Sequence, residues 1–412
     1  MKKRTEFSAN KKVLVYLLIF SLLFTITGCN IGVNERESHQ ETELDMQPIE
    51  DEPPRIEEIS IASVGDIMVH SPQINAAYVG GEKQYDFYPV FQPIEKYIKE
   101  ADIAVGNLET TLAGAEKKYT GYPEFNSPEQ LAEALKLTGF DVITTANNHS
   151  LDRRGHGVRS TLDFLDEQGL SYTGTARSQE ERDKLLIKNV KDIKIAFLSY
   201  TYGTNGIPIP KDEPYMVNLI DKEQIKTDIQ EAKRQNVDII VTSMHFGNEY
   251  QRNESEEQRE LVDFLLEQGV DVVLGGHPHV IQPMEIRKVI TTDGEEKECF
   301  LIYSMGNFIS NQRDRYRESG IILQIFFEKN FDINETTLKK VEYIPTWVDK
   351  SNVGGKNRYH ILAIEEAIRE YEENQNEMLS NEDYSLLKQA WQDTTEHLEQ
   401  ENVKMVLKPL GD

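Results

Sequence analysis

An α/β fold is the expectation, and two regularities carry it. Four segments repeat one pattern: a helical stretch, an Asp, a short β-branched or apolar run, then a polar residue of metal-binding type. They run from Glu100 to Glu109, Gly139 to His149, Asn236 to His245 and Gly269 to His279, and Ile59 to Asp66 opens the series without a preceding helix. Short apolar runs alternating with helices are the signature of buried strands in an α/β sheet. Ligands of open α/β sheets sit beyond the carboxyl ends of the strands. Asp66, Glu109, Asn148, His149, His245, His277 and His279 are therefore delivered to one rim, and that donor set argues for a metal-dependent, hydrolase-like fold.

Taken in order, strands are expected at Ile59–Val64, Asp102–Val105, Asp141–Thr145, Lys194–Ser199, Asp238–Ser243, Asp271–Leu274, Cys299–Tyr303, Ile321–Phe327 and Val341–Pro345. Helices are expected at Val90–Glu100, Pro128–Leu137, Gly157–Gln168, Asp221–Gln235 and Glu256–Gln268. Gln168-Gly169 and Gln268-Gly269 read as helix stops. The later strands lack intervening helices, which predicts a second, antiparallel-rich layer. Lys356–Asp412 reads as two polar helices separated near Ser380-Asn381, with no catalytic motif. The expected organisation is a leader at 1–28, a tether at 29–56, the main domain at 57–350 and a helical extension at 351–412.

The leader is read from its order of features. Lys2, Lys3, Arg4, Lys11 and Lys12 precede an apolar run, Val13 to Thr27, too short to span a bilayer comfortably. It ends Ile26-Thr27-Gly28-Cys29, which looks like a lipobox, with Cys29 as the acylated mature N-terminus. An uncleaved anchor is the alternative, and both place the domain at the outer face of the cytoplasmic membrane. The stretch after Cys29 is acidic, Gln- and Pro-bearing and poor in aromatics, and is expected to be a disordered tether. With Cys29 lipidated, only Cys299 remains, so no intramolecular disulfide is available.

At 412 residues, 38% hydrophobic and 28% charged, the chain has material for a sizeable core. Its formal charge of −26 argues against nucleic acid as a partner. An acidic substrate stays possible, because a bound cation reverses the field inside a cleft.

Gly276-His277-Pro278-His279 is the sharpest motif. In an extended segment residues two apart point the same way, so both imidazoles face one site. Asn147-Asn148-His149 ends another buried run; turn chemistry is the plain alternative. Beside His277 and His279, Asn148 can ligate through its carbonyl and His149 can donate a proton. Asn107 and Glu109 share one face, leaving Leu108 to the core. Arg153, Arg154 and Arg159 follow His149; they are either a solvated helix start or an anion-binding group. Asn307, in Ser304-Met-Gly-Asn-Phe308, lines the rim by position. No Gly-x-Ser-x-Gly elbow, P-loop or dinucleotide fingerprint is present.

Gly65-Asp66, Asn107-Leu-Glu109, Ala146-Asn-Asn-His149, His245-Phe-Gly-x-Glu249-Tyr250, Gly275-Gly-His277-Pro-His279 and Ser304-Met-Gly-Asn307-Phe308 occur in this order. Together, across about Ile59 to Trp347, they resemble the CapA family of poly-γ-glutamate capsule proteins, a branch of the calcineurin-like metallophosphoesterase fold. The resemblance implies a four-layer α/β/β/α sandwich and one or two divalent metal ions (Mn, Fe or Zn). Asp66, Asn148, His245, His277 and His279 carry the family's metal-binding roles by position, and His149 that of the leaving-group acid. Two positions depart from the pattern: Met68 stands where a His is usual, with His70 two residues too far, and Asn107 stands where an Asp is usual. Glu109 is the candidate to bridge in its place. The implied partners are an anionic polymer such as poly-γ-glutamate and a membrane synthase or export complex. The implied function is capsule synthesis or export, with a metal-dependent hydrolase-type site. The competing readings are a non-catalytic scaffold and a solute-binding lipoprotein.

Overall fold

The computed structural model describes residues 53–81, 84–376, 378–399 and the backbone of 405–407. The leader, Cys29 and the tether as far as Glu52 lie outside the described residues. In chain order the strands are β1 (Ile56–Ile67), β2 (Ile103–Leu108), β3 (Val142–Thr144), β4 (Ser171–Thr173), β5 (Leu186–Val190), β6 (Ile193–Thr201), β7 (Ile239–His245), β8 (Val272–Gly276), β9 (Met284–Ile290), β10 (Glu296–Ile302), β11 (Asn307–Ile309), β12 (Ser319–Asn330), β13 (Glu335–Val353), β14 (Lys356–Ala363) and β15 (Met405–Leu407).

They form two sheets. The first runs β14-β13-β12-β1-β2-β3-β4, with β11 beside β1 and β15 beside β13; the second runs β5-β6-β7-β8-β10-β9. β1 to β4 pair in parallel, as do β6, β7, β8 and β10. Alternation along each strand divides its side chains between two cores. Ile59 and Ile61 of β1 meet Ile195, Phe197, Val241 and Val272 of the second sheet. Ala62 and Val64, one register over, face outward onto helices Gln130–Thr138 and Arg154–Glu167 through Leu131, Leu135, Val158 and Leu162. The outer face of the second sheet packs on helices Lys222–Arg234 and Glu256–Gln268 through Ile225, Ile229, Val262 and Leu265. The layer order is thus α/β/β/α, as the resemblance implied.

Helix ends follow local chemistry. Asp221 accepts from the backbone N–H groups of Glu223 and Gln224, and Ser255 forms a reciprocal cap with Gln258. Gly269 closes the latter helix at φ +103°. The expected helix Val90–Glu100 is instead Tyr88–Phe91, a 3-10 turn at Gln92–Ile94 and Glu95–Lys99. Pro93 lacks the amide proton an unbroken α-helix requires there.

Two further expectations are corrected. The antiparallel strands β12, β13 and β14 do not form a second layer; they extend the first sheet outward from β1. The second sheet is the later parallel set. Lys356–Ala363 is a strand, not a helix, and the β13–β14 hairpin runs straight across residue 350. Tyr359 and Ile361 are buried while Arg358 is exposed, so its alternation serves a sheet. The two C-terminal helices do follow, at Ile364–Glu372 and Asn381–Leu398, the second capped by Ser380. Ile364, Ala367, Leu387 and Ala390 pack them on Trp347 and Leu362. No helix among the described residues is long and apolar enough to cross a membrane.

Candidate metal centre

The site begins where β1 ends. A Cβ on Gly65 would lie 2.0 Å from the Gly306 carbonyl oxygen, so only glycine lets these backbones pass. That approach pairs Asp66 with Asn307 of β11. A Cβ on Gly276 would lie 2.7 Å from Asp66 Oδ1, which brings β8 against the same carboxylate. Asp66 is fully buried. It accepts from Asn107 Nδ2 at 2.8 Å and from the His277 backbone N–H at 3.2 Å, and its Oδ2 lies 3.1 Å from His279 Nδ1.

His277 and His279 converge, though not by strand alternation. Their φ values are +98° and +58°, so the backbone turns back at both residues. Such left-handed non-glycine positions are costly and cluster at functional sites. The two rings lie 6.0 Å apart, and His277 lies 4.9 Å from His245. His245 ends β7, with Nε2 3.0 Å from Asn148 Oδ1 and 3.4 Å from Glu109 Oε1. Glu109 follows β2, fully buried, with Leu108 in the helix-facing core as the alternation predicted.

Three donor groups result: Glu109, His245 and His277; Asp66, Glu109 and His279; and Glu249, His277 and His279. Within each group the candidate ligand atoms lie within 4.8 Å of one another. Glu109 is shared by the first two, which is where a bridging carboxylate would sit. Neither Glu109 oxygen, nor His277 Nδ1, has a hydrogen-bond partner among the described residues, although all three are buried. A buried carboxylate without a donor is costly unless a cation answers it. This mixed oxygen and imidazole set suits a divalent transition-metal ion.

The electrostatics are those of a closed cluster. Burial, and next the neighbouring Asp66 charge, push the Glu109 carboxyl up to about 8. Burial likewise pushes His245 and His277 down to about 3, so both are neutral and able to ligate. His279 behaves oppositely: burial opposes its charge, yet Glu109 and Asp66 raise it to about 9. Asp66 stays well below the usual carboxylate range despite its burial, through His279 first and then His245 and Asn107.

His149 stands apart from all three groups. Its Nδ1 lies 2.8 Å from Asp152 Oδ2, its Nε2 lies 3.5 Å from Asn205 Nδ2, and Phe125 packs edge-on at 4.7 Å. Asp152 is itself fixed by the Phe125 backbone N–H at 2.6 Å.

Of the two arginines expected to capture an anion, Arg153 is largely buried and Arg154 is exposed. Arg153 and Arg154 both pair with Glu124 at 3.4 Å and donate to nearby backbone carbonyls. Arg159 pairs with Glu213. Asn307 is fully buried, and its Nδ2 donates to the Arg317 carbonyl at 2.7 Å and reaches the His279 carbonyl at 3.4 Å. Its Nδ2 thus holds backbone, while its buried Oδ1 has no partner among the described residues.

Met68 is a core residue, 2% exposed. His70 does not replace it: its Nδ1 accepts the Asn311 backbone N–H at 3.3 Å, and it enters none of the donor groups. Sequence reasoning gave no role to Glu249, Tyr202, Asn205, Tyr250 or Arg317. The Tyr202 ring lies 4.6 Å from His277, and Tyr250 lies 6.2 Å from His279. Glu249 and Tyr250 were visible in the motif that follows His245; Tyr202 and Asn205 had no signal beyond their place after a strand.

A profile described as "Bacterial capsule synthesis protein PGA_cap" matches residues 60–312. The capsule biosynthesis protein CapA of Bacillus anthracis is 27% identical over 276 residues, 65% of this chain and 63% of that relative. This chain therefore spans less than two thirds of that relative's length. The PGA biosynthesis protein CapA of Bacillus subtilis is 28% identical over 293 residues, 68% of this chain and 73% of that relative. Among solved structures, the NAD nucleotidase of Haemophilus influenzae aligns at a TM-score of 0.44 and 11% identity, covering 83% of this chain and 61% of that one. The profile match takes in every element that carries a candidate ligand, from Asp66 in β1 to His279 after β8, and on that match the chain belongs to the bacterial capsule synthesis protein PGA_cap family.

Proposed function

We propose that this protein is anchored at the outer face of the cytoplasmic membrane by lipid on Cys29 and serves poly-γ-glutamate capsule synthesis or export. Its rim holds one or two divalent cations and works as a metal-dependent hydrolase or transferase. One observation carries the metal-dependent part: Glu109, fully buried, with no donor among the described residues on either oxygen and His245 at 3.4 Å. Family membership and the names of the two relatives support the capsule part. The polymer extends from the name of the second relative, the anchor from the leader, and a membrane synthase or export complex from the role proposed here.

Asp66, Glu109, Asn148, His245, His277 and His279 would hold the cation. When bound, it supplies Lewis-acid stabilisation of negative charge developing on a phosphoryl or amide centre. The chain's own groups do the rest. Asp152 accepts from His149 Nδ1 and so fixes the ring, leaving Nε2 to carry a proton to the leaving-group atom. Phe125 packs edge-on against His149 and the Tyr202 ring lies beside His277, so each imidazole is backed by an aromatic ring.

The test is metal analysis of purified protein before and after chelation, together with hydrolysis of an activated phosphodiester. One or two ions per chain, activity lost on chelation and restored on metal return, is the expected result. Protein that holds no divalent ion and turns over nothing overturns the reading. A scaffold that binds polymer or a partner without turnover is the second reading. Met68 in the core and Asn107 committed to Asp66 favour it, since both positions lack an expected ligand. Stoichiometric metal with no turnover would decide for the scaffold.

A further inference from the structure

Two short segments beside His279 grip each other. The Arg317 guanidinium lies over the Tyr250 ring at 3.6 Å, and the Arg252 guanidinium lies over the Tyr316 ring at 4.2 Å. Each segment thus places an arginine on the other's tyrosine. Both tyrosines sit at positive φ, +67° and +75°, which bulky residues rarely adopt.

The pair is fastened to the donor cluster. The Tyr250 backbone N–H donates to the Pro278 carbonyl at 2.8 Å, between His277 and His279. Arg317 is tied through its carbonyl to Asn307, whose amide also reaches the His279 carbonyl. Gln282, 1% exposed, donates to the Gln251 and Asn253 carbonyls at 2.8 and 3.0 Å and so fixes the 250–253 backbone.

Most arginines near the rim are answered by carboxylates. Arg153 and Arg154 share Glu124, and Arg315 is gripped at both ends of its fork by Asp393. Arg252 makes no ion pair among the described residues; its Nη2 donates to the Asp393 carbonyl at 2.8 Å. The partner of Arg317 is Asp314 at 2.7 Å, whose side chain is 74% exposed. An exposed pair of this kind contributes little and yields readily to a competing anion. A guanidinium held over a tyrosine ring loses less freedom when it meets a carboxylate or phosphate.

We propose that Arg252 and Arg317 form an oxyanion subsite adjoining the donor cluster, which holds one carboxylate or phosphate group of an extended anionic substrate while the reacting group lies at the cluster. In a chain of charge −26, these two arginines place positive charge on the segments fastened to the His277–His279 turn. The inference rests on the proposed function for what reacts, but anion binding by the arginines does not need the metal.

The experiment is calorimetric titration of the full chain, after chelation, with a short oligoglutamate and separately with inorganic pyrophosphate. Arg252→Ala and Arg317→Ala should each weaken binding about tenfold or more. Arg317→Lys should recover only part of the loss, because an ammonium lacks the planar fork. Arg153→Ala should bind like the parent protein. Dependence with oligoglutamate alone assigns carboxylates to the subsite; dependence with pyrophosphate alone assigns phosphates. Parent-like binding in both alanine variants, no binding of either anion by the parent, or an equal loss in Arg153→Ala overturns the proposal. If an alanine variant melts early, Arg252→Gln and Arg317→Lys carry the comparison. Arginine-dependent binding in a protein that never takes up metal keeps the subsite and sinks the hydrolase. Metal uptake and turnover without arginine dependence do the reverse.

Discussion

Glu109 Oε1 lies 3.4 Å from His245 Nε2, yet no donor among the described residues is aligned on either Glu109 oxygen. The carboxylate belongs to two donor groups at once, one with His245 and His277 and one with Asp66 and His279. It therefore stands where like charge from Asp66 opposes it and where a shared cation would relieve it.

Glu109→Gln should separate those two effects. The substitution keeps the shape and removes the charge. Metal affinity should fall by at least about tenfold, the scale set by weaker perturbations of metal sites. The chelated variant should melt no lower than the chelated parent, because an amide need not take up a proton to be buried, as a carboxyl pushed up to about 8 must at neutral pH. Metal analysis and thermal melting check the two halves. A variant that keeps full metal and melts lower makes Glu109 a structural residue.

Arg182 and Asp228 give a prediction about stability alone. They pair at 2.7 Å with side chains only 8% exposed, and Asp228 also accepts from Tyr200 at 2.7 Å. Arg182→Ala leaves a buried carboxylate without its partner, which costs about 3–5 kcal/mol. Arg154→Ala breaks only an exposed pair with Glu124 and should cost about 1 kcal/mol or less. Denaturant midpoints at equal m-values measure both.

The rim was legible because each strand announced its end. β7 and β8 were expected at Asp238–Ser243 and Asp271–Leu274, and the structure extends each by about one turn of the pleat to His245 and Gly276. Helix Glu256–Gln268 was bounded by its own cap and glycine stop. What failed was non-local. Nothing local in β12 says that it pairs with β1, some 260 residues earlier, and that pairing decides which sheet the later strands join. The charge on Arg153 was visible; Glu124, 29 residues upstream, was not identifiable as its partner. The convergence of His277 and His279 was anticipated for the wrong reason, since strand alternation cannot produce two positive φ values.

Cys299 tests the packing of the second sheet. It is fully buried in β10, and burial followed by the Asp271 charge pushes its thiol up to about 12. At neutral pH the native chain from Pro53 onward should resist alkylation at this thiol, because the thiolate is the nucleophile. Addition of denaturant should release one reactive thiol per chain with the unfolding transition. Rapid labelling of native protein would show that β10 opens locally, contrary to its place between β8 and β9.

The last prediction concerns the division of labour between His277 and His149. His277 lies in two donor groups, and its buried Nδ1 has no hydrogen-bond partner among the described residues. His149 lies in none, and Asp152 holds its Nδ1 at 2.8 Å. His277→Ala should lose metal, and activity with it. His149→Ala should keep most of the metal and lose turnover by about 10²–10⁴, the range for a general acid. The loss should shrink for a substrate with a good leaving group, which needs little protonation. Asp152→Asn should follow His149→Ala in direction, because it removes the carboxylate that orients the imidazole. Metal analysis, turnover and leaving-group dependence must be read on the same preparations. If His149→Ala loses metal in step with His277→Ala, His149 is a ligand and the acid lies elsewhere. If both variants keep polymer production in cells at the parent level, the rim serves as a scaffold, and the buried donors answer a structural ion.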